Sequence, residues 1–477
     1  MPAVTVIEQG TIGVYLPVGQ DLMFVVSNQT AVANELRVKF CVDIHISKTI
    51  PNVNTTTDFK GTFKTTPNNA GVGMFDLQSI LENYVKADNM AANGSKYKLV
   101  LTDSENPHPL HLIDKFSLNT NTLRILGTKF YVEYLDTDTT SSTYNTVVPV
   151  ISTEVAGASQ AFFNGYLKYS DILLKQSSGP SFGFDMNPFV LTDSSSRFLT
   201  NAPNEQYANI DDYGTIAFIP TNKIDRVTAN YYDKDGVGLS SEIINFNENN
   251  GAYDTFPGLS SQQIVYFGCF PANLRNWSTI FNSGVVSPYI QGGRIEYTFA
   301  SLSPTTQRAE KLTIYVNCPD KLGYEPIRLC WLNQWGAWDY YTFTQKSVKS
   351  FNTSGSTYTQ LQGTWNKSTY EYAGHKGGKK SFRVNTTEKI TMNTDFVKEV
   401  DNVMFEELIN SPEVYQLDGY QDDPTGIAGT QKSILNNYVT PVRLTTSNFT
   451  RKTIGNDQLM QYTFEVEKTR TLRTQSI

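Results

Sequence analysis

Residues 35–47 read ELRVKFCVDIHIS, and their alternation decides the fold class. Leu36, Val38, Phe40, Val42, Ile44 and Ile46 recur at every second position against Arg37, Lys39, Cys41, Asp43 and His45. Successive side chains of a strand point to opposite faces, so this period describes a strand with one apolar face. His45 then belongs to the solvent side. Upstream, LMFVVSN (22–28) reads as an antiparallel neighbour reached through the polar turn QTAVANE.

Downstream the period lengthens to that of a helix. Leu77, Ile80, Leu81, Tyr84 and Val85 fall at i, i+3, i+4, i+7 and i+8, and Asp76 stands where a cap belongs. That pattern predicts a short amphipathic helix over 76–87 lying on a sheet. KYKLVLTD (96–103) and LGTKFYVEYL (126–135) read as further strands, and the apolar-poor DTDTTSSTYNT (136–146) as a boundary. Beyond it, the short β-like runs GTIAFIP, RVTANYY, QQIVYFGCF and GRIEYTFA are separated by Gly-, Pro-, Ser- and Asn-rich connections. Such spacing suits a sandwich or an elaborated sheet.

The last third again has a readable order. KLTIYVN (311–317) is a strand, NTSGSTYTQLQGTWNKST (352–369) a polar excursion, and AGHKGGKK (373–380) a basic turn. A second amphipathic helix is expected over 395–410, capped by Thr394 or Asp395 and stopped by Pro412. Phe396, Val400, Val403, Met404 and Leu408 form its stripe, and TPVRLTT and LMQYTFEVEKT follow as strands. The expected organisation is a sandwich-like domain over 1–146, a β-rich middle domain over 147–310, and a C-terminal β domain over 311–477.

Within that last domain, RLCWLNQWGAWDYYTF (328–343) holds three of the five tryptophans. Ile327, Leu329 and Trp331 alternate with Arg328, Cys330 and Leu332, residues 333–337 are turn-like, and Trp338, Tyr340 and Thr342 alternate with Asp339, Tyr341 and Phe343. This predicts a β-hairpin over 326–343 whose cross-strand aromatic pairs set the register. Trp331, Trp335, Trp338, Tyr340 and Tyr341 are therefore either a packing core or an interface platform that stacks on a sugar or a partner. Trp335, nearest the turn, is the ring expected to be exposed for the second role.

Composition narrows the function. Charged residues are 18% of the 477, and 39 basic against 46 acidic residues leave a net charge of -7. No broad basic patch is expected to neutralise phosphates, which argues against sequence-directed nucleic-acid binding and allows only passive contact with DNA. Cys41, Cys269, Cys318 and Cys330 form no C-x-x-C pair and read as buried thiols of a reducing compartment. The start of the chain has no secretory pattern and no run reaches membrane-spanning length, so cytosolic synthesis without membrane insertion is expected. The eight N-x-S/T triplets then follow from an Asn- and Thr-rich composition.

Chemistry finds little support. His108, His111 and Asp114 have a ligand-like spacing on a proline-broken loop, where surface residues are the simpler reading. AGHKGGKK lacks the G-K-[ST] of a phosphate loop, and no G-x-S-x-G occurs. No catalytic, metal or cofactor-binding residue is assigned, and no enzyme is expected.

Several segments together carry a resemblance: TPNNAGVGMFDLQSILENYV after the alternating strand, the aromatic hairpin, EELINSPEVYQL, and TPVRLTTSNFTRKTIGNDQLMQYTFEVEKTRTLR. They resemble virion structural proteins of tailed bacteriophages, nearest those of phages of Bacteroidota, including crAss-like phages, and of marine hosts. The likeness covers the two ends of the chain and leaves out the middle. It implies β-sandwich, tail-tube-like units each flanked by one helix. It also implies a homo-oligomeric ring in the tail or neck, contacting other virion proteins around the DNA channel and assembled in the host bacterial cytoplasm. The competing expectation is a receptor- or glycan-binding tail protein.

Overall fold

The structure is a computed structural model that describes residues 2–9, 15–87, 116–118, 121–167, 186–220, 224, 226–245, 264–301, 306–318, 323–364, 368–372, 374–418, 439–451 and 460–469. The fold is mainly β, as the alternating strands predict. The expected strand at 96–103 and the residues His108, His111 and Asp114 lie outside the described residues.

The chain divides into two units instead of three domains. One comprises Met1–Cys318, Leu332–Asp339 and Tyr420–Gln431, and the other Pro319–Trp331, Tyr340–Gly419 and Lys432–Ile477. No division falls at 146/147, because strand Val147–Ala156 pairs with Leu123–Leu135. Phe116–Leu118 likewise pairs forward with Val265–Gly268, so hydrogen bonding crosses the apolar-poor stretch that looks like a linker.

The first unit begins with a sandwich. Strand Leu36–Ser47 lies between Phe59–Thr65 and Leu123–Leu135 in a six-stranded sheet. Opposite it, Thr5–Gln9, Met23–Ser27 and Val72–Asp76 form a three-stranded sheet. Phe24 and Phe75 of the smaller sheet each approach Phe130 of the larger at 6.3 Å between ring centroids. Met23–Ser27 is thus not the neighbour of Leu36–Ser47. The connection expected as a turn is a helix, Gln29–Asn34, which carries the chain from one layer to the other and is capped by Asn28 Oδ1, accepting from the Ala31 N–H at 3.0 Å.

His45 is a second correction, being 2% exposed. Its Nε2 lies 3.2 Å from the Thr55 carbonyl and its ring packs edge-on to Phe59. The connection to the neighbouring strand folds back over the face that alternation assigns to solvent, and Cys41 is buried there too. The helix expected at 76–87 is shorter, with one turn at Gln78–Leu81 and a tighter one at Glu82–Tyr84. Its stripe holds, since Leu77, Leu81 and Val85 enter the sandwich core, and Asp76 Oδ1 accepts from the Gln78 N–H at 3.0 Å.

The same unit contains a second pair of sheets. A five-stranded sheet is ordered Glu205–Ala208, Leu312–Val316, Arg294–Ala300, Arg226–Tyr232 and Gly238–Asn245. A three-stranded sheet is built from Thr215–Phe218, Val265–Gly268 and Phe116–Leu118. Phe267 meets Tyr297 at 5.5 Å and Phe299 at 5.8 Å, so aromatic contacts join the two layers. The irregular middle of the sequence is therefore sandwich-like in structure.

The second unit centres on a seven-stranded sheet. Its order is Trp338–Phe343, Ile327–Leu332, Val414–Leu417, Val439–Leu444, Thr463–Lys468, Gly378–Asn393 and Val348–Gln360. Helix Asn402–Asn410, preceded by a short turn at Glu399–Asp401, places Phe405 5.0 Å from Tyr341 and 5.5 Å from Phe464. The expected helix over 395–410 loses its first turn, because Phe396 and Val400 are exposed and anchor nothing. Met404, Phe405 and Leu408 form the buried face. Phe405 lies outside the stripe that the helical period predicts.

Candidate assembly surface

The aromatic hairpin does not provide an exposed platform. Trp331 and Trp338 are buried, Tyr340 is nearly so, and Tyr341 is half-buried. Trp335, expected at an exposed turn, is only 2% exposed, and its ring lies 4.3 Å from that of Phe189. The turn itself is pinned. Asn333 Oδ1 accepts from the N–H groups of Trp335 and Ala337 at 3.0 Å each, and Asn333 Nδ2 donates to the Leu199 carbonyl at 2.9 Å. Gly336 has φ +70°, and a Cβ there would lie 2.1 Å from the Asn164 carbonyl oxygen, so only glycine closes this turn against its neighbours. In the second unit, Arg328 donates to Thr342 Oγ1 at 2.8 Å and its guanidinium lies 5.2 Å from the Tyr340 ring centroid.

The element that stands open is one the sequence hides. The first half of the polar excursion, 352–360, makes up the greater part of a strand, Val348–Gln360, paired antiparallel with Gly378–Asn393. Only residues 389–393 of the second strand also pair with Thr463–Lys468. Among the described residues, 378–388 pair with Val348–Gln360 alone. The result is a two-stranded arm reaching about 35 Å beyond the sheet at the rise of an antiparallel strand. Such a ribbon has marginal stability by itself and presents unpaired backbone groups along both outer edges.

Both faces of the arm meet solvent. Phe351, Leu361, Tyr370, Tyr372, Phe382 and Val384 are all exposed, a concentration of apolar surface that soluble chains normally cover. At its root the arm is clamped within the second unit by ion pairs: Lys349 with Glu325 at 2.6 Å, Lys468 with Glu388 at 3.0 Å, and Lys389 with Glu465 at 3.0 Å. Hydrogen bonds from Thr445 and then Lys389 hold the Glu465 carboxyl below its ordinary range. Further out, among the described residues, no acidic side chain pairs with Lys376, Lys379, Lys380 or Arg383.

Charge is therefore unevenly distributed. Residues 348–387 contain six basic residues and one acidic residue, for a net +5, and the rest of a chain of net charge -7 carries -12. The overall balance that argues against a basic patch conceals one on the arm. Of the other sequence candidates, His375 is exposed on the arm's turn, and its carbonyl accepts from Lys380 Nζ at 3.4 Å. Among the described residues no group of three metal-ligating side chains converges, and no helix is long and apolar enough to cross a membrane. All four cysteines are free thiols; Cys41, Cys269 and Cys330 are buried, whereas Cys318 is exposed.

No protein-family model matches the chain, and no curated protein matches it. A solved structure of native E. coli alpha-2-macroglobulin aligns over 100% of this chain and 31% of its own, at 10% identity. The chain thus spans under a third of that protein's length, and the TM-score of 0.18 is too low to indicate a shared fold.

Proposed function

We propose that the chain is a virion structural protein of a tailed phage, a homo-oligomeric ring component of the tail or neck that surrounds the DNA channel and contacts neighbouring virion proteins. The observation that carries this proposal is the arm, with open faces, open edges and a charge opposite to that of the rest of the chain. In a closed ring, the basic arm of one copy would meet the acidic surface of the next, satisfying charge and unpaired strand edges together. The sandwich-like units and the resemblance at the chain's two ends support the same assignment. A receptor- or glycan-binding role resting on Trp335 lacks the exposed ring it requires.

Arm truncation in the encoding phage tests the proposal. Residues 353–384 are replaced by a short turn, and the variant chain is first checked for retained sheet content. Heads without tails, or tails arrested before completion, are expected among the particles. Normal, infectious particles carrying the truncated chain would contradict the assembly role.

A further inference from the structure

A different surface, on the five-stranded sheet of the first unit, is built as a platform. Strand register aligns Tyr207 with Tyr315, Tyr315 with Arg294, and Arg294 with Tyr232, one residue from each of four neighbouring strands. The four belong to the outward face, since the alternate positions Ile295, Tyr297, Ile314 and Tyr231 are buried. Tyr207 and Tyr315 stack at 5.1 Å with 20° between their planes, and the Arg294 guanidinium lies 4.3 Å from the Tyr232 ring centroid. Tyr207 is 62% exposed although it is large and aromatic. The row crosses three inter-strand spacings, about 14 Å in all.

A second row runs beside the first. Two residues along each strand, register aligns Glu205 with Thr313, Thr313 with Glu296, and Glu296 with Asn230. The aromatic row and a line of carboxylate, hydroxyl and amide groups are thus separated by about 7 Å along the strands. Arg294 Nε donates to Glu296 Oε1 at 2.7 Å, which neutralises its charge, and Glu205 leaves the two rows at a net -1. That balance disfavours a polyanion.

We infer that the Tyr207–Tyr315–Arg294–Tyr232 row binds a neutral oligosaccharide. A pyranose presents an apolar C–H face and a rim of hydroxyls, so it stacks on a tyrosine while hydrogen-bonding groups beside the ring meet the rim. Tyr207, 62% exposed and backed by its stack on Tyr315, offers the ring for a sugar, and the second row offers the hydrogen-bonding groups beside it. This inference stands apart from the assembly role and rests on different residues.

Titration of the full chain with neutral hexasaccharides of β-1,4-linked glucose, xylose and mannose, beside a heparin hexasaccharide, tests it. At least one neutral glycan should bind. Tyr207→Ala and Tyr315→Ala should each weaken it roughly two- to tenfold, the range for loss of one aromatic stacking contact. Tyr207→Phe should retain binding, and Tyr144→Ala, which removes an exposed ring elsewhere, should leave it unchanged. The inference is overturned if no neutral glycan binds, if only heparin binds, or if Tyr144→Ala weakens binding equally. It is also overturned if the wild-type chain self-associates through this face, seen as a solution mass that falls on Tyr207→Ala.

Discussion

Trp335→Ala separates a packing role for the aromatic hairpin from a platform role. The ring is buried and lies 4.3 Å from Phe189, so its removal leaves a cavity beside that ring. Buried tryptophan-to-alanine changes cost about 3–5 kcal/mol through lost transfer energy and the cavity together. The upper half of that range is expected here, because the turn cannot collapse inward. Asn333 holds it through two backbone N–H groups and the Leu199 carbonyl, and Gly336 already lies against Asn164. Urea denaturation followed by near-ultraviolet circular dichroism gives the midpoint shift. Amide exchange over Thr215–Phe218 and Val265–Gly268 reports whether the unit containing Trp335 has loosened. A change under about 0.5 kcal/mol, the usual size for an exposed site, would refute the packing argument and restore Trp335 as a platform residue.

Two further outcomes follow from burial. In the native protein an aromatic disulfide reagent should modify Cys318 quickly and leave Cys41, Cys269 and Cys330 unreacted until denaturant is added; fast modification of a second thiol would contradict the packing around it. Stability should also fall in alkali. Burial pushes the Cys41 thiol from 9.0 up to about 12, and raises the phenols of Tyr131, Tyr231 and Tyr341 above their ordinary value of 10.0. Because the folded-state values are raised, this contribution is complete below about pH 9 and is lost as pH rises through the folded values. A urea midpoint that stayed level from pH 8 to pH 11 would contradict it.

Some of this structure is legible in the sequence, for identifiable physical reasons. Strand Leu36–Ser47 and the Leu77, Leu81 and Val85 stripe are legible because one-sided burial imposes a period on neighbouring residues. His45 is misread because a connection folds over the second face of its strand, and nothing local marks such a cover. Helix Asn402–Asn410 starts late because Phe396 and Val400 satisfy the helical period without meeting a surface to bury them. The arm escapes notice because a ribbon exposed on both faces needs no alternation; its only local signal is the run of Thr, Ser, Tyr and Phe, which favours strands. The tyrosine row is invisible for another reason. Tyr207, Tyr232, Arg294 and Tyr315 become neighbours only through strand register between segments far apart in the chain.

The proposed ring role is tested most directly by cryo-electron microscopy of intact virions of the phage that the proposal has encode this chain. A closed ring of this chain around the tail axis is expected, with residues 348–387 of each copy ordered against the acidic surface of the next. Density confined to peripheral fibres, absence from the particle, or a ring whose arms stand free in solvent would contradict it.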